Sequence, residues 1–200
     1  MVNLIMNLSL KKYGGDFAIG AFGIIVSIAT LIIMIVFGFN QGMQPIVGYN
    51  YGAGKMQRVL QTYRYTLIAG ICVTTTGFLL VQIFPGAIAS AFTTSDELTA
   101  LAVTGMRLNL LAFPIVGFQI VTTTFFQSVG KAGISVFLSL SRQVLFLIPA
   151  LLIIPHFMGL KGVWLSTPSA DIVATIVTFF ILRWQFKKME FSTDRVRPLS

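Results

Sequence analysis

The sequence has few charged residues and almost no cysteine or histidine. Only 10% of its 200 residues are charged and 56% are hydrophobic, whereas a soluble domain carries about 25% charged and roughly 45–50% apolar residues. Such an apolar composition excludes a disordered chain. The single cysteine excludes a disulfide framework within the chain, and one cysteine with one histidine cannot form a zinc cluster. We therefore expect lipid to be the solvent for most of this chain.

The motifs of common catalytic sites are also missing. The sequence has no G-x-x-x-x-G-K-[ST] phosphate loop, no Ser/His/Asp set and no HExxH zinc motif. The glycines that precede Lys55 follow a predicted membrane helix, whereas a phosphate-binding loop follows a strand. We therefore expect that the protein is not an enzyme.

Acidic residues are scarce, with 6 Asp and Glu against 14 Lys and Arg, so the net charge is +8. The basic residues stand at the ends of apolar runs and do not form a stripe on one helix face. This distribution is typical of the positive-inside rule of membrane proteins. We expect a lipid bilayer, and no nucleic acid, as the partner.

Five apolar runs are long enough to cross a bilayer, which takes about 20 helical residues. They are Phe17–Val47, Val59–Phe84, Leu98–Val129, Ala132–Ile154 and Val163–Phe186. Prolines inside them indicate kinks more than breaks. Met1–Leu10, closed by Lys11 and Lys12, is too short to span, so we expect a helix whose first half is missing. The predicted fold is an all-α membrane protein, a six-helix bundle of five full transmembrane helices plus one partial.

The charges predict how the spans are oriented. On one side of the membrane lie Lys55, Arg58, Arg64, Lys131 and the basic C-terminal residues. On the other side lie Lys11, Lys12 and Lys161. This bias predicts a cytoplasmic C-terminus. We assign residues 1–188 to the transmembrane bundle and 189–200 to a polar cytoplasmic tail. The longest outer loop predicts a short surface helix over Gly86–Phe92, and Ser95 is a start signal for the third span.

Two charged residues lie too deep in the predicted spans to reach water. Arg142 is about 11 residues from Lys131 and Asp171 is about 10 from Lys161, which places both near the midplane at about 1.5 Å per residue. Embedded charges are costly and mark functional candidates. Our hypothesis is that they pair across the fourth and fifth spans. The pair is either a static tie between helices or a group that takes part in proton or substrate movement.

Neutral polar residues recur at helical spacing in several spans, which gives each helix one polar edge. The candidates are Asn40, Gln41 and Gln44 in the first full span and Gln119, Thr123 and Gln127 in the third. Such edges either join helices through hydrogen bonds or share a water-accessible face. As a hypothesis, these six residues line a substrate cavity.

A family resemblance adds to this reading. The segment Gly38–Gly54, GFNQGMQPIVGYNYGAG, resembles a signature in the C-terminal half of the MATE (multidrug and toxic compound extrusion) transporters. Further similarity occurs in order at residues 8–16, 111–119, 126–132, 140–143 and 159–165. The resemblance covers about residues 1–188. It includes no counterpart for an acidic residue that some relatives carry in the third span, because residues 98–154 contain no Asp or Glu.

The resemblance implies one lobe of a transporter that has two six-helix lobes. Such a transporter exports cationic or amphiphilic compounds in exchange for Na⁺ or H⁺ by alternating access, with no other cofactor. The chain would then be the C-terminal lobe with its first helix truncated, in a bacterial cytoplasmic membrane. Its partner would be an N-terminal lobe or a second copy, and its substrates small organic cations. The alternative is a non-transporting fragment, or a membrane interaction protein that only packs against partner helices.

Overall fold

The computed structural model describes the backbone of residues 2–194 and the side chains of residues 2–187. Every regular element in this part of the chain is a helix. The helices are α1 (Val2–Gly52), α2 (Met56–Ile83), α3 (Pro85–Ser90), α4 (Asp96–Asn109), α5 (Phe113–Ser128), α6 (Ala132–Leu140), a π segment (Ser141–Leu147) and α7 (Ile148–Asp194). The prediction of an all-α fold is confirmed.

The two longest helices each contain a glycine at which a right-handed helix cannot continue. Gly15 has φ 68° and ψ −165°, and Gly159 has φ 57° and ψ −136°. Only glycine adopts such backbone angles without steric strain. They divide α1 into α1a (residues 2–14) and α1b (16–52), and α7 into α7a (148–158) and α7b (160–194). Ser166 Oγ in α7b donates to the Ala150 carbonyl in α7a at 3.1 Å, so α7a and α7b lie antiparallel.

The membrane passes follow from these divisions. Three continuous stretches, Val2–Gly52, Met56–Ile83 and Ala132–Lys187, are long and apolar enough to cross a membrane, and α4 with α5 forms a fourth that is bent by 58°. Because the stretch from Ala132 turns back at Gly159, it supplies two passes. The described part of the chain therefore holds five full passes and the short α1a, which confirms the predicted six-helix bundle.

The structure corrects three expectations about the helices. The first helix runs through Lys11 and Lys12 to Gly14 and does not end at the two lysines. The loop predicted after the fourth span is reduced to the turn at Gly159. The third span is broken and not merely kinked. Because Pro114 has no N–H, the Leu110 carbonyl loses its helical donor. The Phe113 N–H donates to this carbonyl instead, at 3.0 Å. The helix therefore breaks over residues 110–112.

Three further predictions concern the surface helix, the start of α4 and the end of the last helix. The short surface helix is present as α3, and Ser95 caps α4 by accepting a hydrogen bond from the Leu98 N–H at 3.4 Å. At the other end of the chain, α7b continues to Asp194, into the segment that we assigned to the polar tail. Residues 195–200 of that tail lie outside the described residues.

Helix α5 is held against α2 by small residues. A Cβ added at Gly117 would lie 2.6 Å from the Gly70 carbonyl oxygen, so the two backbones are nearly in contact. Small residues allow this approach in membrane bundles, where packing replaces the hydrophobic effect between helices. Towards the end of α5, the Phe125 ring packs against Tyr63 of α2 and Phe186 of α7b. These contacts fix α5 between α2 and α7b.

The turn at Gly159 gives a first testable prediction. A Cβ at this position meets no atom within 4 Å, so Gly159→Ala should act only through the backbone, at a cost of about 1–3 kcal/mol. The measurement is the free energy of unfolding in detergent. Gly133→Ala is the matched control, because it also meets no atom within 4 Å and lies inside α6 with an ordinary helical φ. Equal stability of the two variants would show that the positive φ is not required.

Candidate functional site

Arg142 and Asp171 form an ion pair inside the bundle. Arg142 Nε donates to Asp171 Oδ1 at 2.6 Å, and the side chains are 30% and 6% exposed, respectively. The other ion pair among the described residues, Lys11 with Asp16 at 3.9 Å, has side chains that are 67% and 87% exposed. A short charge-assisted bond of this kind is stronger than a neutral hydrogen bond. The structure thus brings together the two residues that the sequence analysis paired, and their role stays a hypothesis.

The two partners stand on different kinds of helix. Arg142 is the second residue of the π segment, which the Ile148 N–H closes by donating to the Gln143 carbonyl. Pro149 follows at once and has no N–H to donate. Single π turns inside membrane helices recur at functional sites. Asp171 lies on the buried face of α7b, which continues through Ala174, Thr178, Leu182 and Gln185.

A cavity of about 350 Å³ opens beside the pair. Its lining residues are Val2, Asn3, Arg142, Gln143, Leu147, Thr167, Ala170 and Asp171. Five of these eight side chains are polar or charged, and a cavity of this size holds several water molecules. Neither side chain of the pair makes another hydrogen bond within the described part of the chain. The carboxylate and the guanidinium can therefore exchange partners with water, an ion or a small solute.

Asn109 adds a polar contact that the sequence analysis did not select. It is the last residue of α4, and its Nδ2 donates to Thr167 Oγ1 at 3.0 Å and to the Trp164 carbonyl at 3.4 Å. Thr167 also lines the cavity. One signal was available in the sequence. Pro168 stands four residues after Trp164, so the Trp164 carbonyl has no helical donor and requires one from elsewhere.

The six residues predicted for a substrate cavity differ in how far they are buried. Asn40 and Gln119 are buried, Gln44 and Thr123 are half-buried, and Gln41 and Gln127 are exposed. None of the six lines the 350 Å³ cavity. The two amide atoms of Asn40 and the Oε1 atom of Gln119 are buried and have no hydrogen-bond partner, so hydrogen bonds between helices do not account for these two. The substrate-cavity role of the set stays a prediction.

These features define a class of protein. Embedded charges in membrane proteins mark pathways for ions or solutes, and broken helices near the midplane form binding sites in transporters. A bundle of five passes is that of a multi-pass membrane protein, and a broken span beside an ion pair at a polar cavity is typical of transporters.

The comparison with known families agrees. A family model described as MatE matches residues 1–152. The chain belongs to the MATE family.

Relatives and solved structures extend this result. The chain is 22% identical over 182 residues to the multidrug export protein MepA of Staphylococcus haemolyticus (strain JCSC1435), a match that covers 91% of this chain and 40% of the relative. Its fold is similar to a multidrug resistance MATE family transporter in an outward-facing conformation, with a TM-score of 0.87, 21% identity and coverage of 94% and 43%. An inward-facing structure also gives a TM-score of 0.87, with 20% identity and coverage of 98% and 45%. The chain spans about two fifths of the length of the relatives it matches.

The ion pair gives a second prediction. Arg142→Met leaves the Asp171 carboxylate buried without its partner, and Asp171→Leu does the same to the guanidinium. Each single variant should lower the free energy of unfolding by about 3 kcal/mol. The double variant should be milder than either, because no uncompensated charge remains. The measurement is a double-mutant cycle in detergent.

The exposed pair supplies the control for this cycle. Asp16→Asn should change the unfolding free energy by less than about 1 kcal/mol, since exposed ion pairs contribute little. A double variant at Arg142 and Asp171 that is no milder than the singles would contradict an energetic pairing of the two residues.

Proposed function

We propose that this chain forms the C-terminal lobe of a multidrug antiporter of the MATE family. The antiporter exports cationic or amphiphilic compounds in exchange for Na⁺ or H⁺. The observation that carries the proposal is an ion pair at a polar cavity inside a bundle that matches the family over residues 1–152. The name of one relative, the multidrug export protein MepA, supports the substrate class.

The share of the relatives that this chain matches supports a second lobe. A match that covers 91% of this chain and only 40% of the relative is what one of two lobes would give. The proposed partner is therefore an N-terminal lobe or a second copy of the chain. The substrate cavity would form between the two lobes, so residues exposed on this one, such as Gln41 and Gln127, would face it there.

The similarity to two transporter states supports alternating access by rocking of rigid lobes. The chain has the same TM-score, 0.87, against an outward-facing and an inward-facing structure. A lobe that changed its internal packing between the two states would match one better than the other. Rigid movement of one repeat against the other is a common mechanism of secondary transporters.

The ion pair supports a mechanism for coupling to Na⁺ or H⁺. When a proton or Na⁺ binds the Asp171 carboxylate, it competes with the Arg142 guanidinium 2.6 Å away. The charge on the carboxylate is then neutralised and Arg142 loses its partner. An arginine left without a partner near the midplane is costly, so ion binding would change the relative energies of two arrangements of the lobe.

The orientation and location belong to the same proposal. The basic residues Lys55, Arg58 and Lys131 flank the ends of the passes that we place at the inner surface. By the positive-inside rule the C-terminus is then cytoplasmic. The protein would reside in a bacterial cytoplasmic membrane as a multi-pass protein.

The proposal predicts efflux that depends on Asp171. Ethidium efflux is measured from bacterial cells that express this chain together with the N-terminal lobe of a MATE relative. Asp171→Asn removes the charge that binds the coupling ion, so we expect efflux to fall at least about tenfold, as for other embedded ionisable groups that carry ions. Asp16→Asn is the control, because its side chain is 87% exposed, and it should retain efflux.

The outcomes separate the possibilities. Efflux from the chain alone would indicate a transporter made of two copies. Equal efflux from the Asp171→Asn and control variants would contradict coupling at Asp171. No efflux under any condition, with the protein present in the membrane, would favour a non-transporting fragment or an interaction protein.

A further inference from the structure

Two irregular helices meet next to the cavity. Helix α7b contains Pro168, whose missing N–H leaves the carbonyl of Trp164 without its helical donor. Hydrocarbon supplies no partner for this carbonyl, so its hydrogen bond must come from the protein or from water in the cavity. The partner is Asn109 Nδ2, at 3.4 Å from the Trp164 oxygen. Asn109 thus replaces the hydrogen bond that the proline removes.

The donor itself stands at a break. Asn109 ends α4 immediately before residues 110–112, where the third span bends by 58°. Its side chain is buried and reaches across to α7b, where it also donates to Thr167 Oγ1 at 3.0 Å. On the far side of the break, the Thr74 hydroxyl of α2 donates to the Gly70 carbonyl of its own helix at 3.0 Å and also lies 3.3 Å from the Pro114 carbonyl of α5. The break is therefore held from both sides by polar contacts to neighbouring helices.

The segment that Asn109 holds is the one that presents Asp171. Thr167 and Asp171 are one helical turn apart on the same face of α7b, and both line the cavity. A proline in a membrane helix loosens the turn before it, since one backbone bond is absent. The rotation of this turn sets where Asp171 lies relative to Arg142, 2.6 Å away.

We propose that Asn109 is a positioning residue for the Asp171 site. It acts through the Trp164 carbonyl and Thr167 Oγ1, and it connects the broken third span to the helix that carries the carboxylate. A change in the bend at residues 110–112 is then transmitted to the cavity, and a change at the cavity to the bend. The importance of this residue for transport rests on the proposed function, but its structural role does not.

The test uses a variant that makes Asn109 unnecessary. Asn109→Ala removes both hydrogen bonds, and we expect the equilibrium constant for unfolding in detergent to rise about threefold to tenfold. Pro168→Ala restores a backbone N–H to the Trp164 carbonyl. In a Pro168→Ala background, Asn109→Ala should therefore cost much less. Pro45→Ala is the matched control, because it restores an N–H in α1b, far along the chain from Asn109, and should give no rescue.

A second readout reports on position and not only on stability. Ala170 lines the cavity and is buried, so the rate at which a small thiol reagent labels Ala170→Cys in a Cys72→Ser background reports how often this position opens to the cavity. We expect Asn109→Ala to change the labelling rate at least about threefold, and Pro168→Ala to return it towards the original value. Asn50→Ala is the control for a buried asparagine, because the Asn50 Nδ2 bonds only its own helix, at the Ile46 carbonyl.

Two results would overturn the proposal. If Asn109→Ala lowers stability with no change in labelling, or if Pro168→Ala and Pro45→Ala rescue equally, Asn109 does not position the site. Neither readout requires efflux. A failure here with Asp171-dependent efflux intact would reject the role of Asn109 alone, whereas normal results here with no efflux would reject the proposed function.

Discussion

Hydrocarbon offers no hydrogen-bond partner, so each polar group in this chain must find one inside the protein or face a wet cavity. The helices satisfy nearly all backbone groups by themselves. What remains are the carbonyls that prolines leave without a donor, the charged side chains of Arg142 and Asp171, and buried side-chain atoms without a partner, such as those of Asn40 and Gln119. The charged side chains of Arg142 and Asp171 satisfy each other with a bond of 2.6 Å. The cavity beside it keeps the pair in contact with polar surroundings.

The prolines create the same requirement in the backbone, because each leaves one carbonyl without its helical donor. Pro114 frees the Leu110 carbonyl, and the Phe113 N–H takes it at the cost of a break. Pro168 frees the Trp164 carbonyl, and Asn109 takes it from another helix. The Leu110 carbonyl is satisfied by a neighbouring residue, and the span bends there. The Trp164 carbonyl is satisfied by a residue far along the chain, and this bond joins two spans. Thr167, the second partner of Asn109, lies one helical turn from Asp171, so the irregular turn at Pro168 borders the charged site.

The sequence was sufficient for the bundle and for the depth of its charges. Run length and helix rise gave the five passes and put Arg142 and Asp171 at similar depth, because both depend only on spacing along one helix. They could not give the break at residues 110–112, since a proline in a membrane helix bends or breaks it according to which neighbours take the freed carbonyl. Asn109 was missed because its partners, Trp164 and Thr167, are 55 and 58 residues away. The faces of Asn40 and Gln119 depend on the packing of whole helices, which the spacing of polar residues does not determine.

The proposed site depends on a bond between Asp171 and Arg142 within the bilayer. Solid-state NMR on the chain in lipid vesicles can measure the distance between ¹⁵Nε of Arg142 and ¹³Cγ of Asp171. A bond of 2.6 Å between Nε and Oδ1 predicts an Nε–Cγ distance of about 3.5 Å, as in other charge-assisted pairs. A distance beyond about 6 Å, where the side chains extend to separate interfaces, would contradict the pairing and the site built on it.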